Sequence, residues 1–520
     1  MRDKADILLC SNRIFTAAQE AGKPAPGIVA IIGDEIATVD SLEEKERWIG
    51  TDTKVYELGN QLVCPGFLDN HVFFTGFVWS HIGADLSEAE TLKQALKILE
   101  KEADKTPGDR AVLGHGLREE LLRSDEDVRE EWDELRGRPV IGFTQGRDGC
   151  ILNQEARKRY GLEEHEIYAE ACWKVFDEFL RDEVFIKGEY EKFSDLLASR
   201  GVTAIKEIGF DRYSGFTGYL KKMEETGTLK HRVNLVSQPV GAPMDLQYAR
   251  ECRETFQGPF VQFMGFNIMV DGEICSGNAD LIGEYKNHPG SHGAQQVDYE
   301  ALERQVLEAD KNGIRCALHA EGDMAVRRTV DIYEKCRRVN GTRDARHTIT
   351  DLELTNPEDL KRMASLGITA TNYVQIMDCL GGYEDFYGFD CVGEEGIENY
   401  WAYRQMLKAG VKICCGTDLP LTIPDIPLSA YLTVGRRFPD GKPEGGINPA
   451  CALTVAEILK AWTIGGQYAN FKERELGTLE EGKKADIAVL DRDLFCLPVE
   501  EMPKVQVALT ICNGKVVYER

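Results

Sequence analysis

The sequence predicts an α/β fold: a (β/α)8 TIM barrel with a β-sandwich domain formed by both chain ends and an inserted subdomain. Three observations support this prediction. Strand-like and helix-like segments alternate through the middle of the chain, both ends are rich in short strands, and one charge-rich stretch interrupts the alternation. The 520 residues are enough for a barrel of about 250 residues and smaller additions.

The alternation in the middle of the chain is typical of parallel α/β folds. Apolar runs such as 201–210, 260–272 and 410–418 have the length and composition of buried strands. Segments 299–313 and 357–367 carry apolar residues at i, i+3 and i+4 and end at glycine, as amphipathic helices do. Repetition over this length favours a closed barrel over an open sheet, and we assign residues 65–474 to it.

The sequence pattern at both chain ends is typical of short β-strands joined by tight turns. Residues 5–62 alternate β-branched residues with Gly and Asp turn signals, and the same pattern returns near the C-terminus. The pair Asn513-Gly514 is a type I′ hairpin signal between two apolar runs. We predict one β-sandwich domain made from residues 1–64 and 475–520, and a separate small β-domain at each end is the alternative.

The stretch at about residues 77–200 is rich in charge and does not follow the strand–helix alternation. Segments inserted between the elements of a rigid scaffold commonly carry binding residues. We therefore predict an inserted subdomain over the barrel mouth that helps to shape the substrate site.

Charge and hydropathy exclude several classes of partner. The formal net charge of -26 argues against nucleic acid and anionic membranes, because either needs a basic face. No run of about 18 apolar residues and no signal-peptide pattern is present in the sequence. We expect a cytoplasmic protein with a small-molecule substrate, no nucleic-acid partner and no membrane partner.

Polar side chains stand at the ends of six predicted barrel strands, where barrel enzymes gather their chemistry. These residues are Asp69 and His71; Lys206 and Glu207; Asn267, Asp271 and Glu273; His319 and Asp323; His347, Asp351 and Glu353; and Asp418. A single polar residue at a strand end is more often a cap or a turn former. Six such ends in one chain predict a shared site.

The order of these strand ends resembles the amidohydrolase superfamily, and specifically amidohydrolase family 3, which includes N-substituted formamide deformylases. The resemblance covers nearly the whole chain. It is carried by the segments "CPGFLDNHVFFTG", "MVDGEICSGNADL", "LHAEGDMAVRRTVDIYE", "RHTITDLELTNPEDLKRMASLGI", "GVKICCGTDLPLTIPDIP" and "ALTVAEILKAWTIGGQYANFKERELGTLEEGKKADIAVLDRD". The last segment is the most specific for the fold and says little about chemistry.

The resemblance implies a metal site, but this chain departs from the family pattern within it. His71, His319 and Asp418 match ligands of the family on strands one, five and eight. Phe73 stands where the second histidine of strand one is expected, and Asn267 stands where the strand-four lysine is expected. A two-metal centre is therefore not expected, because phenylalanine donates no ligand and asparagine cannot be carboxylated.

Two further family histidines are replaced by aspartates, Asp351 on strand six and Asp148 in the inserted region. The resemblance then implies at most one divalent metal, zinc, manganese or iron, held by His71, His319, Asp351 and Asp418. Asp418 would act as a ligand or as the general base, and His319 would also be catalytic. The implied reaction is hydrolysis of a small amide, a cyclic amide or a related C–N bond.

A metal-independent acid–base enzyme is the first alternative. Buried histidines and carboxylates can run acid–base chemistry when their pKa values are pushed apart, and Lys206 could act as an acid or stabilise an oxyanion. Carbon–carbon hydrolysis with ring opening, hydration, isomerisation or decarboxylation of a small cyclic compound would fit. A non-catalytic binding relative is the second alternative.

Five residues are expected to contact the substrate. They are Asp148, Phe73, Trp79, Asn267 and Asp271. The aromatic residues near the end of strand one are by default core residues, but a cluster this close to the expected centre could also hold a flat or apolar ring. The sequence leaves open whether the protein is a homodimer.

Overall fold

The computed structural model describes residues 4–18, 22–123, 132, 137–145, 150–161, 174–175, 178–210, 214–239, 242–293 and 297–520. The chain divides into two compact units. The first comprises Met1–Val72, Ser194–Arg212 and Met223–Arg520, and the second comprises Phe73–Phe193 and Tyr213–Lys222. The domain boundaries given from the sequence stay predictions.

Both chain ends join in one seven-stranded sheet of the first unit. Its strands are β1 (Ile7–Ile14), β2 (Ala25–Ile32), β3 (Glu35–Asp40), β4 (Lys54–Pro65), β17 (Ile487–Leu490), β18 (Val507–Cys512) and β19 (Lys515–Glu519). The order across the sheet is β19-β18-β17-β4-β1-β2-β3. The join between the two chain ends is the antiparallel pairing of β17 with β4. Apolar side chains from both ends share one core, among them Val29, Val63, Ile487 and Ile511.

The first unit also contains the predicted barrel, an eight-stranded parallel sheet. Its strands are β5 (Phe67–Val72), β10 (Val202–Phe210), β11 (Arg232–Gln238), β12 (Val261–Met269), β13 (Cys316–Ala320), β14 (Thr348–Asp351), β15 (Thr369–Asn372) and β16 (Lys412–Cys415). They follow one another in chain order. Beyond β16, a parallel bridge from Leu419 to Val72 brings the last strand back to the first. The predicted (β/α)8 barrel is confirmed.

The α-helices lie mainly between the barrel strands. Their bounds are Lys45–Trp48, Phe74–Trp79, Leu92–Lys105, Gln154–Tyr160, Glu183–Ser199, Ser214–Thr226, Leu246–Thr255, Tyr299–Lys311, Asp323–Asn340, Pro357–Leu366, Gly388–Ile397, Tyr403–Ala409, Ile426–Ala430, Val455–Lys460 and Gly466–Ala469. Among the described residues, none of the helices is long and apolar enough to cross a membrane.

Two helices begin and end close to where the sequence predicts, because their capping residues are readable. Helix Tyr299–Lys311 follows Asp298, whose carboxylate accepts a backbone N–H of the first turn at 2.9 Å. Helix Pro357–Leu366 follows Asn356, whose side chain does the same at 3.0 Å. Gly367 ends that helix in the left-handed conformation (φ 70°), which glycine adopts at little cost.

The second unit has a sheet and a core of its own. Its four strands are β6 (Ala84–Asp85), β7 (Val112–Leu117), β8 (Val140–Thr144) and β9 (Cys150–Leu152). Helix Leu92–Lys105 packs on this sheet through Leu96 and Leu99, and the buried Trp132 belongs to the same core. A charge-rich stretch that looked irregular as a sequence therefore contains ordered α/β structure.

Candidate active site

Two histidine–carboxylate pairs meet at the carboxyl end of the barrel. His71 lies at the end of β5, and its Nε2 is 3.6 Å from Oδ1 of Asp418, which follows β16. His319, near the end of β13, has its Nε2 3.0 Å from Oδ2 of Asp351 at the end of β14. Parallel strands that end together bring residues distant in the sequence to one edge of the sheet.

Both aspartates of these pairs have a left-handed backbone conformation. Asp351 has φ 78° and its neighbour Leu352 has φ 60°, whereas Asp418 has φ 53°. Non-glycine residues seldom adopt these angles, and such strained residues cluster at functional sites. The Asp418 N–H also donates to the His71 carbonyl at 2.9 Å, which fixes the backbone of this residue against the first barrel strand.

The two histidines differ in charge because their surroundings differ. Burial, reinforced by the positive charges of His319 and Lys206, holds the pKa of His71 well below its usual value, so its imidazole is neutral at pH 7. Burial also lowers the pKa of His319. However, the hydrogen bond to Asp351 and the charges of that residue, Asp271 and Asp418 outweigh burial and raise the pKa to about 8.

Two glutamates add to the negative charge of the site: Glu353, one of the strand-end residues from which a shared site is predicted, and Glu321, which is not among them. Burial and the charges of Asp351 and Glu353 raise the pKa of Glu321 well above its usual value. Burial and Asp351 likewise raise the pKa of Glu353 to about 8, although Tyr387 and Tyr400 each donate a hydroxyl hydrogen bond at 2.9 Å to its Oε2. Crowding carboxyl groups in a buried region is costly unless a cation or a proton offsets their charge.

His319, Glu321 and Asp351 form a buried group of potential metal ligands. One donor atom from each lies within 4.8 Å of the other two. Imidazole nitrogen and carboxylate oxygen suit zinc, manganese and iron. The surplus of buried carboxyl groups also fits a bound cation, so the residues of this site are suited to one divalent ion. Glu321 was recognisable in the sequence, because it stands two residues after His319 and strand side chains alternate between faces.

A second donor group, Asp310, Cys336 and His347, fits a metal poorly. Nδ1 of His347 accepts the backbone N–H of Cys316 at 3.1 Å, which leaves the ring proton of the neutral imidazole on Nε2. Nε2 lies 3.1 Å from Oδ1 of Asp310 and donates to it. Both ring nitrogens are therefore occupied, and His347 is a structural residue at the amino end of the barrel.

Lys206 is buried, and its Nζ has no hydrogen-bond partner among the described residues. Burial, with a contribution from the charge of Arg315, lowers its pKa to about 7, against a smaller opposing effect of Cys414. The charge of Lys206 in turn lowers the pKa of His71, so the two groups interact.

Two of the predicted substrate-binding residues belong to the first unit, and one of them, Asp271, acts electrostatically on His319. Asp271 accepts backbone N–H groups of Glu321 and Gly322 at 3.0 Å and of Asp280 at 2.9 Å, so it anchors the loop that follows β13. The amide of Asn267 donates to Oε1 of Gln238 at 2.7 Å. The Asn267 oxygen has no partner among the described residues.

Of the other three predicted substrate-binding residues, two belong to the second unit and one is not described by the structure. Phe73 and Trp79 belong to the second unit, where Phe73 precedes helix Phe74–Trp79 and Trp79 contacts Phe143 with ring centroids 4.1 Å apart. Asp148 lies outside the described residues. The substrate-binding roles of these three residues stay predictions.

The sequence profile of the amidohydrolase family matches residues 54–518. The chain belongs to this family. The protein is accordingly a hydrolase of the amidohydrolase superfamily, which confirms the prediction from the strand-end motifs. The match spans the barrel and four of the seven strands of the chain-end sheet, and it covers every residue of the two histidine–carboxylate pairs.

Similarity to individual members of the family is low but extends over whole chains. An N-substituted formamide deformylase from Arthrobacter pascens is 23% identical over 558 residues, which cover 100% of this chain and 99% of that protein. A metal-dependent hydrolase of uncharacterized activity from Pyrococcus horikoshii OT3 has a TM-score of 0.75 at 19% identity, covering 95% of this chain and 99% of that one. Atrazine chlorohydrolase TrzN from Arthrobacter aurescens TC1, solved with zinc, has a TM-score of 0.55 at 13% identity, covering 99% and 95%.

Proposed function

We propose that this amidohydrolase cleaves a C–N bond in a small amide or cyclic amide, with one divalent ion held by His319, Asp351 and Glu321. Asp418 is the general base in this proposal, and His71 is its partner. The observation that carries the proposal is the convergence of two histidine–carboxylate pairs at the carboxyl end of the barrel, with a third buried carboxyl group beside them.

The division of roles follows from exposure and charge. A divalent ion bound at this site would lower the pKa of a coordinated water toward neutrality. The Asp418 side chain is 29% exposed, whereas those of His319 and Asp351 are 8% exposed, so Asp418 is the more accessible to water and substrate. A carboxylate there can accept a proton from the attacking water and return it to the leaving nitrogen. Neutral His71 adds no competing positive charge beside it.

The relatives support this choice of reaction and of ion. The name of the Arthrobacter pascens protein specifies an N-substituted formamide as its substrate, which is a small amide. The Pyrococcus structure is described as a metal-dependent hydrolase, and TrzN was solved with zinc. In this chain Asp351 stands where the family resemblance implies a histidine of strand six, and Glu321 adds a carboxyl group to the ligand set.

The proposal is tested by metal analysis and a substrate screen on the same preparation. Protein purified without chelator should contain about one equivalent of zinc, manganese or iron. Mass spectrometry of reactions with small amides and cyclic amides should detect hydrolysis products, and chelation should abolish turnover. Absence of products from the whole panel, or turnover that chelation leaves unchanged, would contradict the proposal.

Asp418→Asn tests the general base. Loss of proton transfer should lower kcat by about 10²–10⁴-fold while KM changes little. Asp359→Asn is the matched control, because Asp359 is buried in ion pairs with Arg327 and Arg362 on the helical layer. The control should lower stability and leave kcat unchanged. Wild-type kcat in Asp418→Asn would remove this residue from the mechanism.

A metal-independent acid–base enzyme is the second candidate, favoured by the pKa values of the site. The hydrogen bond to Asp351 and nearby carboxylates raise the pKa of His319 to about 8, and burial lowers the pKa of Lys206 to about 7 and raises that of Asp271 to about 6, so the pKa values of three buried groups lie near 7. Such a site could hydrate, isomerise or ring-open a small cyclic ketone. Metal-free protein that converts small cyclic diketones would select this candidate over the first.

A further inference from the structure

Tyr373 lies between the two histidine–carboxylate pairs. It follows Asn372, the last residue of β15, which pairs with Asp351 on one side and with Cys415 on the other. Its ring centroid is 5.1 Å from that of His71 and 6.2 Å from that of His319. The phenol therefore occupies the space between the ends of the strands that carry the site.

The hydroxyl of Tyr373 is buried and unused by the fold. The residue is 4% exposed, and its oxygen makes no hydrogen bond to any described residue. The neighbouring Thr350 hydroxyl favours the ionised form of the phenol, but the two groups do not reach hydrogen-bond geometry, and Thr350 also has no partner in the described part of the chain. A buried hydroxyl without a partner costs free energy, so a phenylalanine would serve the fold at least as well.

The phenol keeps its proton. Burial raises the pKa of Tyr373 well above its usual value, and the charges of Asp418, Asp351 and Glu321 raise it further. Those three carboxyl groups are acceptors, and a protonated phenol beside them is a hydrogen-bond donor. The phenol and these carboxyl groups therefore interact electrostatically at the proposed ion site.

We propose that Tyr373 is a positioning residue for the ion site, donating its hydroxyl hydrogen bond to one of the two carboxylates that hold the ion, Asp351 or Glu321. This inference rests on the proposed function. Outer hydrogen bonds to ligating carboxylates fix their orientation, and losing one typically weakens metal binding by about 10–100-fold. In this proposal, the hydrogen bond to a ligating carboxylate gives the buried Tyr373 hydroxyl the partner that the described residues do not supply.

The test compares the zinc affinity and the stability of Tyr373→Phe with those of the wild type. Zinc binding is measured by competition with a chromophoric chelator, and stability by thermal melting of the chelator-treated proteins. Tyr373→Phe should bind zinc about 10–100-fold more weakly, with a melting temperature equal to or above that of the wild type. A merely structural tyrosine would give the opposite pattern.

Tyr333→Phe is the matched control. Its hydroxyl donates to the carbonyls of Cys316 (3.0 Å) and Thr348 (2.9 Å), so this variant should melt earlier and bind zinc normally. Equal zinc affinity of Tyr373→Phe and wild type, a lower melting temperature of Tyr373→Phe, or equal weakening of zinc binding in both variants would each overturn the inference alone. A wild type that binds no zinc, manganese or iron would overturn the one-ion proposal and the inference together.

Discussion

The charge state of Lys206 depends on its burial. The unfolded chain carries this ammonium in water, whereas burial lowers its pKa in the folded protein to about 7. The destabilising effect is therefore complete below pH 7. As the pH rises from 7 toward 10.5, the unfolded chain binds more protons than the folded one, so the stability of the fold increases.

Lys206→Met should remove this pH dependence. The variant should be more stable than the wild type at pH 6, and the difference in free energy of unfolding should narrow by roughly 2–3 kcal/mol by pH 9, since each pKa unit corresponds to about 1.4 kcal/mol. Urea unfolding at both pH values measures it. The control is Lys361→Met on an exposed helix surface, where the difference from wild type should not change with pH. A constant difference for Lys206→Met would mean that the amine is solvated.

Some residues of the site can be predicted from the sequence, and others cannot for physical reasons. His71, His319, Asp351 and Asp418 were singled out, because imidazole and carboxylate groups at strand ends are uncommon without a role. Tyr373 was missed, because an aromatic residue after a buried strand is far more often a core residue. Its importance depends on an unmet hydrogen bond, which no sequence pattern records.

At the scale of elements, the sequence predicts what local forces determine. A capping residue and a glycine mark the bounds of helix Pro357–Leu366, and both can be identified in the sequence. The left-handed backbone at Asp351 and Asp418 cannot be predicted from the sequence, because only tertiary packing holds a non-glycine residue at φ 78° or 53°. The sheet of the second unit was missed because β6 and β9 are two and three residues long, too short for an alternation pattern.

Within the first unit, a buried ion pair connects one barrel strand to the chain-end sheet. Arg232 begins β11, and its guanidinium binds both carboxylate oxygens of Asp486 at 3.0 Å and the Asn513 side chain at 2.8 Å. Two hydrogen bonds to one carboxylate hold the pair in a fixed geometry. The barrel and the chain-end sheet are therefore expected to unfold together.

Arg232→Met should destabilise the protein by about 3–5 kcal/mol, because it leaves the buried Asp486 carboxylate without its partner. Urea unfolding measures the loss, and kcat per folded molecule should not change. The double variant Arg232→Met/Asp486→Asn should recover part of the stability, since no charge is then left unpaired. A single variant as stable as the wild type would show that the pair contributes nothing to the join.

At the scale of the whole molecule, residues at the amino end of the barrel stabilise the fold, whereas residues at the carboxyl end form the candidate active site. His347, at the amino end, stacks on Tyr333 with ring centroids 4.5 Å apart and uses both ring nitrogens within the fold. His319, at the carboxyl end, keeps Nδ1 without a partner among the described residues.

Family resemblance predicted the barrel well, because the pattern of apolar strands and helices extends over the whole chain. It predicts the ligands of the ion site less completely, because the departures from the family pattern fall within that site.

The different roles of the two ends of the barrel predict opposite behaviour for two histidine variants. Zinc should raise the melting temperature of chelator-treated wild type, with stabilisation of about 2.7 kcal/mol at a hundredfold excess over Kd. His319→Ala should show no zinc-dependent shift, because it lacks a ligand. His347→Ala should melt earlier in the absence of zinc, because it loses two hydrogen bonds, and still gain the full shift. If zinc stabilises His319→Ala as much as wild type, the ion binds elsewhere and the carboxyl end of the barrel is not its site.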